Sequence, residues 1–249
     1  MPLLDRLLRR DRSPPADTTT AMAAAAAAVE RGDYGAALAI WGPLAHAGLA
    51  RAQNNIGACF AEGLGVEPDP ALALRWLSLS AESGDPVGQR NLAALHFKGD
   101  GVAQSDAEAS RLYRLAAEQG DAPAQDMLSW MLLESGSAAD LPDALRWAEA
   151  AAGAGIAASM TRLGMMHHEA LGVERNPVLA AQWWQRGAEA GDADAKAMLG
   201  AATLLGQGVT KDAARALGLL LDAERCGSLL AAPFIKAARA AVAPDEAAP

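Results

Sequence analysis

A glycine returns along this chain at almost constant spacing. Gly48, Gly84, Gly120, Gly155, Gly191 and Gly227 are separated by 36, 36, 35, 36 and 36 residues. A period of that length marks one supersecondary unit copied in series. Five full units follow: 49–84, 85–120, 121–155, 156–191 and 192–227. Other columns keep the register. Ile56, Leu92, Leu128, Leu163 and Leu199 share one, and Gly57, Ala93, Ser129, Gly164 and Gly200 the next. Ala37, Ala73, Ala109, Ala144, Ala180 and Ala216 form a third, and three residues on stand Ile40, Trp76, Leu112, Trp147, Trp183 and Leu219.

Each unit reads as two helices. In AQNNIGACFAEG the apolar residues fall three and four apart, the stripe of a half-buried helix. Gly63 and Gly65 end it, supplying positive φ for the turn. Asp69-Pro70 and Asn176-Pro177 read as a cap followed by proline at the first helical position. Asp85, Asp121 and Asp192, just past the closing glycines, are expected to cap the next helix. The small columns let neighbouring helices approach closely, with Trp76, Trp147 and Trp183 filling the space between layers. A lone pair cannot bury both faces, so the units must stack. The expected fold is all-α, a right-handed α-solenoid of antiparallel helix pairs with a concave inner wall.

Composition narrows the function classes. The net charge is −9, and the pI of about 4.9 argues against a nucleic-acid groove, which needs clustered Lys and Arg. No charge-free apolar run reaches about 18 residues, so no transmembrane helix is expected. MPLLDRLLRRDRSPP lacks the continuous apolar stretch of a signal peptide. Cys59 and Cys226 read as unrelated, reduced, interior thiols. A cytoplasmic location is the expectation. Low lysine against abundant arginine and alanine points to a GC-rich bacterial gene.

AQNNIGACFAEGLGVEPDPALALRWLSLSAESGD (52–85) and SMTRLGMMHHEALGVERNPVLAAQWWQRGAEAGD (159–192) carry the pattern most fully. The pattern resembles Sel1-like repeats, a branch of the tetratricopeptide superfamily. On that basis residues 1–18 form a basic amphipathic tail and 19–48 a tetratricopeptide-like first pair. Residues 49–228 form the five repeats, and 229–249 a closing helix and tail. The resemblance implies a non-enzymatic adaptor that holds a protein or peptide on its concave face, in a bacterial signalling or assembly pathway, with no cofactor. The disulfide-stapled secreted relatives are a poor match, since the repeats lack their cysteines.

Tetratricopeptide geometry assigns inner-wall columns: Asn54, Arg90, Asp126, Thr161 and Ala197; Ala58, Ala94, Trp130, Met165 and Ala201; Ala61, Phe97, Leu133, His168 and Leu204; and Glu62, Lys98, Glu134, Glu169 and Leu205. From these, Arg90, Phe97, Lys98, Asp126, Trp130, Leu133, Met165 and His168 are the candidate contacts for a protein partner. Trp130 stands beside a deletion, because unit 121–155 is one residue short between Leu128 and Gly136. That tryptophan faces the groove or packs into the neighbouring unit, and the altered turn is loop drift or a local change of curvature.

Catalytic signals are weak. His167-His168-Glu169 does not converge on a metal, since adjacent helical residues point about 100° apart and the spacing is not H-E-x-x-H. His96 and His167 occupy the column of Phe60 and read as layer residues, and His46 as structural. No G-x-S-x-G, S-x-x-K or P-loop motif occurs, and GLGV, GDGV and GQGV are helix-linking turns. Cys59, mid-helix beside the small column, reads as buried and inert. Alternatives to the adaptor are a structural subunit of a larger complex and, with less support, a hydrolase. In the tail, Leu3, Leu4, Leu7 and Leu8 make an apolar stripe among Arg6, Arg9, Arg10 and Arg12. Contact with an anionic membrane surface is open only through residues 1–12; docking to a partner, folding back over the first helices, or disorder are the other readings.

Overall fold

The computed structural model describes residues 17–242, so expectations for residues 1–16 and 243–249 lie outside it. Among the described residues all regular structure is helical. The thirteen helices are α1 (Thr18–Glu30), α2 (Tyr34–His46), α3 (Ala50–Glu62), α4 (Pro70–Glu82), α5 (Pro86–Lys98), α6 (Asp106–Glu118), α7 (Ala122–Glu134), α8 (Leu141–Gly153), α9 (Ala157–Glu169), α10 (Pro177–Glu189), α11 (Ala193–Leu205), α12 (Ala213–Arg225) and α13 (Ala232–Val242).

Local chemistry sets their ends. Asp69 and Asn176 cap α4 and α10, accepting from Ala71, Leu72 and Leu179 N–H, and proline follows each. Asp85, Asp121 and Asp192 accept from Gly88, Ala124 and Ala195 N–H at 2.9, 2.9 and 2.7 Å. Each such cap stabilises its helix by about 1 kcal/mol. At the other end the closing glycines hold φ from 84 to 94°. The residue after each donates its N–H to a carbonyl of the helix just ended, as Asp85 does to Ser80 and Asp192 to Gly187.

The chain divides into two compact units, Met1–Ala124 and Gln125–Pro249. In the first, each helix from α1 to α5 packs on the next, and α3 also packs on α5. In the second, α8 to α13 pack in the same serial way and α9 also packs on α11. Ser129 on α7 donates to the Ala144 carbonyl on α8 at 2.8 Å. Each unit is thus a stack of antiparallel helix pairs in which first helices meet first helices.

The small column does what its size allows. A Cβ on Gly57 would stand 2.7 Å from Leu77 Cγ, and one on Gly200 2.8 Å from Leu220 Cγ. On Gly164 it would run into the Trp184 indole. The second glycine of each turn has a separate task. A Cβ on Gly65, Gly101 or Gly172 would meet Tyr34, Pro70 or Leu141 Cβ at 2.6, 2.7 and 2.9 Å. These turns rest on the start of the preceding repeat's second helix, always 31 residues back.

Two expectations need correction, and a third is met. Trp76 and Trp147 are buried, but Trp183 is half-buried, with the Arg186 guanidinium 4.2 Å from its ring centroid; Trp184 takes the inward place. Gly164 leaves room for the larger ring there, and the indole N–H donates to the Thr161 carbonyl at 3.2 Å. Cys226 is exposed, as the residue that ends α12; Cys59 is buried. The third repeat's turn also differs in bonding. Elsewhere the cap N–H of the second helix donates back to the first: Asp69 to Phe60, Ser105 to His96, Asn176 to His167 and Asp212 to Thr203. After α7, Asp140 N–H donates only to Ser137, and its carboxylate faces the Ser135 hydroxyl at 2.7 Å and caps nothing.

Candidate functional site

The first helices bring the candidate contacts into position, and within each unit polar residues fix their spacing. Buried Gln53 and Gln89 donate to the Ala45 and Ala81 carbonyls at 3.0 and 3.4 Å, tying a first helix to the helix before it. Asn91 donates to Asn54 at 2.8 Å, and Arg162 to Asp126 at 2.7 Å. These two bonds occupy equivalent places in different repeats, so the column of Asn54 and Asp126 reaches sideways to the following first helix.

In the first unit, Arg90, Phe97 and Lys98 all stand on α5. The Arg90 guanidinium lies 3.0 and 2.9 Å from the two carboxylate oxygens of Asp121, the cap of α7. Arg51 reaches Asp85 in the same manner at 2.8 Å. Arg90 therefore couples successive repeats. Phe97 is half-buried, and Lys98 is exposed. Lys98 borders a groove of about 150 Å³ between α3 and α5, walled by Ala58, Ala61, Glu62 and Ala94, with Asp100 at its rim.

In the second unit, Asp126, Trp130 and Leu133 stand on α7, and Met165 and His168 on α9. Asp126 bonds Arg162 and the buried Ser159 hydroxyl. Trp130, Leu133 and Met165 are each half-buried. His168 Nδ1 is 2.6 Å from Glu169, its Nε2 is 3.2 Å from Gln207 Oε1, and its ring tilts over Trp184 at 5.5 Å. The imidazole thus links one repeat to the turn of the next. His46 stacks on Trp76 with centroids 5.2 Å apart.

The charges on these helices are unevenly spent. Arg51, Arg90, Arg162 and Lys196 are all paired with carboxylates. Lys196 holds the Asp222 carboxyl below its ordinary range by hydrogen bonding, and is itself raised by the same bond. Glu62, Glu134 and Glu169, the last residues of three first helices, are exposed. Burial pushes the Cys59 thiol up to about 11, which leaves it protonated and unreactive near neutrality. Among the described residues no three His, Cys, Asp or Glu gather as metal ligands, and no helix is long and apolar enough to cross a membrane.

One feature escaped the sequence reading. A cavity of about 570 Å³ opens against α10, lined by Val178, Ala181, Gln182, Gln185 and Arg186. Its signal was present: Ala181 stands where Leu74, Leu145 and Leu217 stand in other repeats.

The Sel1 repeat family matches residues 50–85, 86–121, 122–156, 157–192 and 193–228. No curated protein matches the chain. Among solved structures it is similar to a protective antigen of uropathogenic Escherichia coli strains with an SLR fold, at 29% identity and a TM-score of 0.84, over 90% of this chain and 49% of that one. The chain thus spans about half the length of that antigen. A Sel1 repeat protein from Oxalobacter formigenes is 29% identical with a TM-score of 0.78, over 86% of this chain and 88% of that one. A Pseudomonas aeruginosa protein, 5086, is 20% identical with a TM-score of 0.50, over 90% and 87%, a likeness in fold alone.

Proposed function

Because the chain belongs to the Sel1 repeat family, whose members generally bind proteins, we propose that it is a non-enzymatic bacterial adaptor, working in the cytoplasm, that grips a protein or peptide on the face of its first helices. The observation that carries this reading is the alanine-walled groove between α3 and α5, bordered by Lys98. A groove of that make accepts apolar side chains between charged rims, which suits a peptide or helix. Phe97, Lys98, Trp130, Leu133, Met165 and His168 supply contact area and polar handles. Arg90 and Asp126 act on the partner through the wall they hold in place, since both already have charged neighbours. A preformed surface avoids much of the ordering cost of binding.

Affinity capture with the tagged full chain, read by mass spectrometry, identifies the partner. Lys98→Glu, Phe97→Ala and Trp130→Ala are then tested one at a time against it. Each is expected to weaken capture, with helical content unchanged by circular dichroism. Capture that survives all three removes the first-helix face from consideration.

A further inference from the structure

The first-helix reading leaves the cavity of about 570 Å³ against α10 without a role. The apolar part of its lining is Val178, Ala181, Leu199 and Val209. Ala181 makes the space: Leu38, Leu74, Leu145 and Leu217 hold the same column in other pairs, and Ser110 in one. Val178 is 53% exposed, so apolar lining faces solvent.

The polar part is cationic. Arg186 lines the cavity with its guanidinium 4.2 Å from the Trp183 ring centroid. Arg215, on α12, donates to Oε1 of Gln185, another lining residue, at 3.3 Å. No carboxylate among the described residues pairs with either guanidinium. Both arginines depart from the repeat. Arg186 stands where Leu79 and Leu115 stand, and Arg215 where Glu108 and Asp143 stand. On α6 and α8 those acids hold Arg111 and Arg146 at 2.6 and 3.6 Å. On α10 the same two places are Leu179 and Gln182, so no internal pair forms. Glu189 is the acid tied to this lining, accepting from Gln185 Nε2 at 2.7 Å. Two guanidiniums against one carboxylate reverse the sign locally in a chain of net charge −9.

A guanidinium with N–H groups to spare takes a carboxylate in a bidentate pair. Apolar space beside it takes the side chain that carboxylate carries. Exposed Gln182 adds an amide that both donates and accepts, matching a peptide unit. We propose that this cavity is a second binding site, which takes the C-terminal end of a partner polypeptide. The terminal carboxylate meets Arg186 and Arg215, and an apolar last side chain fills the space at Ala181.

The test titrates the full chain with the peptide Gly-Ser-Ala-Leu, fluorescein on its N-terminus and its C-terminus free, by fluorescence anisotropy. Methyl NMR spectra locate the probe, with shifts expected at Val178, Leu199 and Val209. A peptide ending in a carboxamide is expected to bind about ten-fold more weakly. Arg186→Gln and Arg215→Gln are each expected to weaken the free acid by about ten-fold and to leave the carboxamide unchanged. Ala181→Leu, which installs the residue of four other pairs, is expected to abolish binding with circular dichroism unchanged. If that variant misfolds, Arg186→Glu, at an exposed position, decides with the same expected loss. Four results overturn the proposal: no binding at about 1 mM, equal affinity for acid and carboxamide, shifts confined to other helices, or 4-methylpentanoate binding as tightly as the peptide. The last would make the cavity a site for free acids. The probe stands in for the partner and reads α10 alone, so this proposal and the first-helix reading fail separately.

Discussion

Ala170 is the one described residue other than glycine with positive φ, at 61°. It ends α9 where Gly63, Gly99 and Gly206 end their own first helices. A side chain there strains the left-handed turn by about 1 kcal/mol. Ala170→Gly is therefore expected to raise stability on that order, read as a higher urea midpoint with an unchanged slope. The cysteines make a second contrast. A thiol reagent at neutral pH is expected to label Cys226 alone in the native chain and Cys59 only after unfolding. Cys59 also sets a sign for pH. Its thiol titrates near 9.0 when unfolded and, pushed up by burial, at about 11 when folded, so the native state holds its proton longer. Stability from this group is complete below pH 9.0 and declines as pH rises toward 11. Cys59→Ala is expected to flatten that decline. Residues also mark where sequence reading ended. The caps Asp85, Asp121 and Asp192 were legible because a cap bonds within three residues of itself. That Arg90 would be committed to Asp121, 31 residues on, was not, because side-chain pairing between repeats has no local signature.

Helices in these units meet through glycines that differ in what they face. Gly164 backs onto the rigid Trp184 ring, whereas Gly218, inside α12, has nothing within 4 Å of where a Cβ would stand. Gly164→Ala is expected to cost about 1–3 kcal/mol through overpacking. Gly218→Ala is expected to add about 1 kcal/mol by helix propensity. Chemical denaturation of the two variants side by side checks the opposite signs. Between first helices the polar contacts matter more than their number suggests. The Arg162 side chain is only 10% exposed against Asp126. Asp126→Ala leaves that guanidinium without its carboxylate and is expected to destabilise by about 1–3 kcal/mol. A loss of partner capture in that variant with stability intact would instead make Asp126 a direct contact. The periodic apolar and small columns announced these helix pairs plainly. Trp183 and Trp184 did not reveal which of them would turn inward, since neighbouring tryptophans both suit a helix face and only the space at Gly164 separates them.

Across a unit, each helix pair draws its support from the pairs beside it. In the second unit, α13 closes the array through Ile235 and Ala238, which pack with Ala231 just before it and with Leu204, Ala216, Leu220 and Ala223. Ile235→Ala is expected to cost about 2–4 kcal/mol locally. Hydrogen exchange should then quicken in α13 and α12 before α9 and α10, while uniform acceleration through the unit would point to one cooperative block. At this scale the fold was the most legible part of the molecule, because a register held over five repeats outweighs any single ambiguous residue. The proposed binding face was legible as columns and no further, because exposure and pairing are settled one side chain at a time. The seats of Gly65, Gly101 and Gly172 on the preceding repeat add a last consequence. Backbone against backbone sets the pitch there, whatever side chains decorate the faces. A whole block can therefore be copied or excised at matching joints without recutting its neighbours, so such a chain can lengthen by simple duplication.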